Sequence, residues 1–186
     1  MLFNSFPFFF FFAIFFPIYY LAKGWLRWGV CLAASYAFYC WWDWRFLILI
    51  IFSSVFEFQI GKSLDATNSS SSRKRLLVTS VVVNLFILGI FKYLNFFVGS
   101  FSALFNSLGF NTSPLYLNIV LPLGISFYTF QNISYSVDVF YKKISAETSL
   151  MRYALFVAFF PKLVAGPIVR ARQFLPQIKG HNPILW

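Results

Sequence analysis

The segment from Leu121 to Asp138, LPLGISFYTFQNISYSVD, is close to membrane length and apolar, yet it carries polar side chains at helical spacing. At about 100° per residue these side chains fall within one third of the helix circumference; they are Tyr128, Gln131, Asn132, Tyr135 and Asp138. The opposite arc holds Phe127, Phe130, Ile133, Val137 and Phe140. Such a helix exposes its apolar arc to lipid and keeps its polar groups in protein or a wet cavity. We predict that the polar residues line a cavity, with ordinary helix–helix hydrogen bonding as the alternative.

The composition of the chain places this segment in a membrane. Of 186 residues, 60% are hydrophobic and 11% are charged, whereas soluble domains usually carry about 25% charged residues. The net charge of +10 comes from 15 Lys and Arg against 5 acidic residues. Because the cations stand at the ends of apolar runs, they indicate membrane topology and contacts with the lipid bilayer, and no binding of nucleic acid. Cys31 and Cys40 lie in one apolar stretch and are expected to be small buried hydrophobes.

The apolar runs predict an all-α, polytopic membrane protein with about five transmembrane helices plus one re-entrant or broken helix. The five runs are Met1 to Tyr20, Gly29 to Trp42, Phe46 to Ile60, Leu76 to Val98 and Leu115 to Phe140. The sixth segment, Met151 to Val169, contains Pro161, Lys162, Gly166 and Pro167 and has basic residues on both sides. Both of its flanks therefore favour the same side of the membrane.

The charge of the connections predicts the orientation. Gly61 to Arg75 contains the serine run Ser69 to Ser72 followed by three cations, which predicts a flexible cytoplasmic loop. The uncharged connection Gly99 to Pro114 and the N-terminus are then expected to face outward.

Inserting a charged residue within an apolar run into a membrane costs about 3 kcal/mol on insertion scales. Each such residue therefore needs a polar partner or must extend its charge to the membrane surface. Glu57 and Asp138 lie near the predicted cytoplasmic side, within reach of basic residues there. Lys92 is close to the other end of its run and is expected to extend outward without pairing with Asp138.

No residue of the chain is predicted to be catalytic, and no spacing indicates a metal site. The lone His181 lies in a loop-like stretch without a neighbouring carboxylate and is expected to be solvated. Arg170 and Arg172 are expected to contact lipid headgroups, with contact to a ligand as the alternative.

Three segments resemble the membrane-bound O-acyltransferase family, in particular the branch that acetylates exported polysaccharides such as alginate. They are FKYLNFF (91–97), LPLGISFYTFQNISYSVDV (121–139) and FFPKLVAGPIVRARQFLPQI (159–178). The opening MLFNSFPFFFFFAIFFPIYYL and the stretch FYCWWDWRFLILI (38–50) are similar to the N-terminus of the same branch. The resemblance therefore covers nearly the whole chain in one consistent order.

This resemblance implies a multi-pass enzyme of the cell (inner) membrane, built around a tunnel and without a bound cofactor. Such enzymes move an acyl group from a cytoplasmic donor, here expected to be an acetyl thioester, to a hydroxyl of an exported polysaccharide. A periplasmic or extracellular acetylation protein is the expected partner. Transfer of D-alanine to teichoic acid remains open within the family. The rival outside it is a non-enzymatic membrane fragment, transporter-like or scaffolding.

The chain departs from the family in one respect. The active-site His of the family, which acts as the base on the acceptor hydroxyl, lies in the second half of family members, and His181 is not its counterpart. Residues 1–186 are therefore expected to be the N-terminal portion of a membrane-bound O-acyltransferase domain that lacks its C-terminal half and is inactive alone. A fragment, a frameshifted product and a split subunit all remain open.

Overall fold

The computed structural model describes residues 4–109, 121–165 and 169–179, and all regular structure within these ranges is helical. The helices are α1 (Phe6–Leu21), α2 (Trp25–Ala66), α3 (Ser70–Ser107), α4 (Ile125–Phe140), α5 (Leu150–Ala158), α6 (Phe160–Ala165) and α7 (Ala171–Lys179). The predicted all-α class is confirmed. Helices α2 and α3 are long and apolar enough to cross a membrane, while α1 is apolar but shorter.

Helix α1 lies against the first part of α2 and runs antiparallel to it. The ring of Phe11 is 6.0 Å from that of Phe38, and further along α1 Ile18 lines the same groove as Val30. No residue of α1 is buried. Most of its Phe-rich surface is thus left for a membrane, as the predicted first run requires.

Helix α2 is interrupted at Asp43, whose φ of −163° and ψ of 114° are not helical. Leu32 and Tyr36, before this point, line the same apolar pocket of about 290 Å³ as Ile51 and Val55 after it. The two halves of α2 therefore fold back on each other, and they correspond to the predicted runs 29–42 and 46–60. The exposed tryptophans around the bend are Trp41, Trp42 and Trp44.

The prediction of a flexible loop over Gly61 to Arg75 is wrong. Helix α2 continues to Ala66 and α3 starts at Ser70, so only residues 67–69 are not helical. Hydropathy marks the part of a helix that lies in lipid, whereas the helix itself continues as long as its backbone and inner face find partners. Gly61 and Leu64 are buried in this continuation.

Arg73 is the residue that joins the ends of two helices in this region. It is buried, and its guanidinium donates to the carbonyls of Leu64 and, at 3.4 Å, Thr67 near the end of α2. It also donates to the carbonyls of Val139 at 3.1 Å and Phe140 at 2.6 Å, in the last turn of α4. Carbonyls at a helix C-terminus have no partner within the helix, so one cation satisfies groups from both ends.

The predicted connection Gly99 to Pro114 is also shorter than expected where it is described, because α3 extends to Ser107 and ends in a turn at Leu108 and Gly109. The rest of it, and the first residues of the predicted run Leu115 to Phe140, lie outside the described ranges. Helix α4 follows Gly124, whose φ is +73°.

The break predicted within Met151 to Val169 is confirmed at Phe159, between α5 and α6. The amide of Phe160 donates to the hydroxyl oxygen of Ser35 at 3.2 Å, and that hydroxyl donates to the carbonyl of Cys31 at 2.7 Å. Pro161 is the second residue of α6, where proline needs no backbone partner. The freed amide is therefore satisfied by a neighbouring helix.

Both ends of the α5–α7 segment contact the same tryptophan. The guanidinium carbon of Arg152, at the start of α5, lies 5.0 Å from the centre of the Trp28 ring. The indole nitrogen of Trp28 donates to the carbonyl of Ile178, at the end of α7, at 3.2 Å. The segment thus leaves and returns to one end of α2, while Gly166 and Pro167 lie outside the described ranges.

Candidate functional site

The polar face of α4 is turned into the protein. Its five predicted members, Tyr128, Gln131, Asn132, Tyr135 and Asp138, are all buried, with exposures of 3% or less. The opposite arc is partly exposed throughout, and Phe130 reaches 46%. The separation of the two faces that the helical period predicts is present, because a polar face in an apolar solvent is stable only against other polar groups.

At the centre of the contact lies the carboxylate of Glu57, on the second half of α2. Its Oε1 accepts from the hydroxyl of Ser80 at 2.7 Å and from that of Ser136, and its Oε2 accepts from the amide of Asn84 at 2.8 Å. Three helices thus converge on one acidic side chain that is fully buried. Each donor reduces the cost of removing the carboxylate from water.

The sequence predicts basic residues within reach of Glu57, but the hydrogen-bond partners found in the described chain are neutral. Arg73, which is buried on α3, donates to carbonyl groups instead. The sequence contains a signal for the observed arrangement: Ser80 and Asn84 are four residues apart and share a face of α3. Two small polar residues at that spacing in an apolar helix indicate a buried polar partner.

The network continues from Glu57 to the broken helix. The amide of Asn132 donates to the side-chain oxygen of Asn84 at 3.3 Å, and the hydroxyl of Tyr153 donates to the side-chain oxygen of Asn132 at 3.0 Å. Helices α2, α3, α4 and α5 are therefore connected through side chains alone. We call the group of Glu57, Ser80, Asn84, Asn132, Ser136 and Tyr153 the central polar network.

Tyr135 connects α4 to the chain that follows it. Its hydroxyl oxygen accepts from the amide of Glu147 at 3.0 Å. The carboxylate of Glu147 in turn forms an ion pair of 2.5 Å with Arg152. This contact fixes the start of α5 relative to the polar face, next to Trp28.

Three atoms of the polar face have no hydrogen-bond partner among the described residues: the hydroxyl of Tyr128, Oε1 of Gln131 and Oδ2 of Asp138. Tyr128 and Gln131 lie in the half of α4 that starts beside the bend of α2, where the hydroxyl of Tyr39 donates to the carbonyl of Leu123 at 2.7 Å. Buried polar atoms are nearly always paired in native proteins. This end of the face therefore has hydrogen-bonding capacity that the described residues do not use.

The basic residues predicted to reach lipid or water are exposed. Lys92 is exposed, with its ammonium 5.4 Å from the ring of its neighbour Tyr93, as expected for a lysine that extends outward. Arg170 and Arg172 are exposed. Neither cysteine is in a disulfide; Cys31 is buried and Cys40 is partly buried.

His181 lies outside the described ranges. Among the residues that the structure describes, no group of His, Cys, Asp and Glu is arranged to hold a metal. The central polar network holds amides, hydroxyls and one carboxylate, a set that positions helices and polar ligands.

Comparison with known proteins gives a consistent result along the whole chain. A probable alginate O-acetylase of Azotobacter vinelandii is 42% identical over 188 residues, covering 100% of this chain and 37% of that protein. A probable alginate O-acetylase of Pseudomonas aeruginosa is 41% identical over 184 residues, covering 98% of this chain and 35% of that protein. The chain is a homologue of bacterial O-acetylases. Its resemblance to the membrane-bound O-acyltransferase family is thereby confirmed, and the matched proteins and the two long apolar helices agree in making it a membrane protein.

A third relative is named for a different acceptor. It is a peptidoglycan O-acetyltransferase of Helicobacter pylori, 33% identical over 174 residues, and the match covers 80% of this chain and 32% of that protein. The chain thus spans about a third of the length of the curated relatives it matches. No family model and no solved structure matches the chain.

Proposed function

We propose that this chain forms the N-terminal membrane portion of an O-acetyltransferase that acts on the hydroxyls of an exported polysaccharide, with an alginate-like polymer as the first candidate. The observation that carries the proposal is the identity of 41–42% to alginate O-acetylases along 98–100% of the chain. Peptidoglycan is the second candidate acceptor, because one relative carries that name.

The proposed portion is multi-pass and lies in the cell inner membrane. Its five crossings are α1, the two antiparallel halves of α2, α3 and α4, and α5 to α7 form the re-entrant element. The bend at Asp43 supports the division of α2, because Trp25 to Trp42 spans roughly 27 Å at 1.5 Å per residue, close to the ~30 Å of a bilayer core. The common contact of α5 and α7 with Trp28 supports the re-entrant path.

Within this portion, the half of the α4 polar face nearest Gly124 is the proposed cavity lining. Tyr128 and Gln131 are buried there with unused hydrogen-bonding atoms. Asn132 and Tyr135 form hydrogen bonds within the protein, so their proposed role is to hold α4 in place and not to bind a ligand. The proposed role of the lining is to bind the polar groups of the acyl donor or acceptor, or of the rest of the enzyme.

The chemistry assigned to the whole enzyme is transfer of an acetyl group from a thioester to a hydroxyl. The acceptor oxygen forms the new ester bond to the carbonyl carbon, the thiol leaves, and a base takes the hydroxyl proton. The base is proposed to belong to the remaining two thirds of the enzyme, since the family resemblance assigns no residue of this chain to that role. The proposed contribution of this chain is to position the substrates and to form part of the cavity wall.

Complementation tests the proposal. Residues 1–186 are expressed in cells that lack their alginate O-acetylase membrane protein, alone or together with the part of the Azotobacter vinelandii relative that the chain does not match. We expect acetylated polymer only from the pair, because general acid–base catalysis contributes about 100- to 10,000-fold and the chain alone lacks the base. Acetylation by the chain alone would overturn the assignment of the base. Failure of the pair, with both parts present and associated in the membrane, would favour the non-enzymatic alternative.

A further inference from the structure

A long apolar groove runs along the outside of the α1–α2 hairpin and is separate from the central polar network. It has a volume of about 360 Å³ and is lined by apolar side chains of both helices, among them Phe11, Phe15, Ile18, Val30, Ala34 and Ala37. The alanines leave room that the phenylalanines of α1 only partly fill. From Phe11 to Ile18 the groove extends over roughly 10 Å at 1.5 Å per residue.

One end of this α1–α2 groove carries two cations. Lys23 is exposed in the turn between the helices, and Arg27 follows in the first turn of α2. Arg27 is three residues before Val30 and seven before Ala34, so it lies on the groove-lining face of α2. The groove therefore leads from apolar side chains directly to positive charge.

The orientation of Arg27 is fixed by two contacts. Its Nε donates to the carbonyl of Ala22 at 3.1 Å, and its guanidinium carbon lies 5.2 Å from the centre of the Tyr19 ring. Neither contact neutralises its charge, and within the described residues no carboxylate pairs with Arg27 or Lys23. A guanidinium held in this way presents its remaining N–H groups as a fork suited to a phosphate.

We infer that the α1–α2 groove binds one acyl chain of an anionic phospholipid, whose phosphate is held by Arg27 and Lys23. Charge complementarity selects this occupant, because a neutral hydrocarbon segment of another protein would leave both cations without an anionic partner. The exposed Trp25 beside them is the residue type that favours the headgroup level of a membrane. The site does not depend on acetyl transfer, so it can be tested apart from activity.

Native mass spectrometry provides the test. The chain is released from nanodiscs that contain equal amounts of phosphatidylglycerol and phosphatidylcholine with identical acyl chains, and the lipids retained on the protein are counted. We expect one phosphatidylglycerol per chain, retained at least fivefold over phosphatidylcholine. Each basic residue near a membrane surface favours an anionic lipid by a comparable factor. Equal retention of the two lipids by the unaltered chain would overturn the inference and leave the groove to plain hydrocarbon or to a protein segment.

Matched variants separate the headgroup contacts from the groove. Lys23→Gln combined with Arg27→Gln should abolish the preference for phosphatidylglycerol, whereas Arg75→Gln, which removes an exposed cation elsewhere, should not. Lys23→Gln alone, in an exposed turn, should lower the preference without risk to the fold. Ala34→Phe should reduce the retention of the lipid by filling the groove, whereas Val82→Phe, on the exposed surface of α3, should not. The inference fails if a control variant matches its partner, or if Ala34→Phe retains lipid as the unaltered chain does.

Discussion

Gly61 of α2 lies directly against the phenol ring of Tyr135 of α4: a Cβ atom added at Gly61 would stand 2.6 Å from Cε1 and from the hydroxyl oxygen of that ring. Only a residue without a side chain allows the two helices to approach so closely. The hydroxyl oxygen of Tyr135 accepts a hydrogen bond from the backbone amide of Glu147, and its ring packs on that of Tyr153, with the ring centres 4.6 Å apart. Any displacement of Tyr135 is therefore transmitted to the start of α5.

The first prediction follows from this approach. Gly61→Ala should lower the free energy of unfolding by about 1–3 kcal/mol, because an overpacked contact must open. The measurement is the midpoint of thermal unfolding in detergent, followed by size-exclusion chromatography. Gly89→Ala is the matched control, since a Cβ there meets nothing within 4 Å and alanine favours a helix over glycine by about 1 kcal/mol. Equal midpoints for the two variants would contradict the observed contact.

The second prediction concerns the central polar network. Glu57→Ala leaves the donors of Ser80, Asn84 and Ser136 without their acceptor and should destabilise the chain by about 2–4 kcal/mol. Glu57→Gln keeps an oxygen for the two hydroxyls and faces only the Asn84 amide with a second donor, so its loss should be about half as large. Thermal unfolding in detergent again provides the measurement. Identical losses for the two variants would mean that the side-chain oxygen kept by glutamine adds nothing, and would contradict the hydrogen bonds assigned to Ser80 and Ser136.

The third prediction distinguishes two neighbouring arginines. Arg73→Ala should destabilise the chain by about 2–4 kcal/mol, because its guanidinium satisfies carbonyls at the ends of both α2 and α4. Arg75→Ala should change stability by less than about 0.5 kcal/mol, since Arg75 is exposed. Proteolysis at residues 61–70 offers a local readout: cleavage should increase in the Arg73 variant alone. Cleavage that increases equally in both variants would speak against the buried role of Arg73.

The fourth prediction is the orientation in the membrane. In a chain with Cys31 and Cys40 replaced, Ser107→Cys should react with an impermeant maleimide added outside intact cells and Ser70→Cys should not. The reason is the concentration of positive charge next to Ser70. Both side chains are exposed in the structure, so a difference in reactivity reports the side of the membrane. Reaction at Ser70→Cys alone would reverse the proposed orientation.

The fifth prediction concerns the proposed cavity lining. In the assembled enzyme, Tyr128→Cys and Gln131→Cys should react with small polar thiol reagents, because their polar atoms have no partner in the described chain. Phe130→Cys, on the exposed apolar arc, should stay unreactive in lipid, where the thiolate does not form. No reaction at either polar position, in an enzyme that retains activity, would make the polar face a helix–helix contact throughout.

The helical period was enough to predict which side chains of α4 turn inward, because a face in lipid has to be apolar whereas a face in protein can carry polar groups. The break near Pro161 was predictable because proline has no backbone N–H and fits the first turn of a helix, so a new helix tends to begin just before it. Proline does not end every helix, since Pro17 lies within α1 and Pro176 within α7. The partners of Glu57 were not predicted, because they come from α3 and α4 and depend on how three helices rotate against one another. Hydropathy likewise gave no sign that only three residues separate α2 from α3, since the helical turns on either side of them are polar in sequence.

The contact of Trp28 with both Arg152 and Ile178 has a consequence for assembly. Because α5 begins and α7 ends at the same indole, neither flank of this segment has to pass through the helical bundle for the segment to reach its position. The four earlier helices can form their own contacts first, and the segment can then pack into the gap between them. There the backbone amide of Phe160 donates to the hydroxyl of Ser35. The order of the chain is thus compatible with the order of its synthesis, and the last described part to emerge is the last that needs to pack.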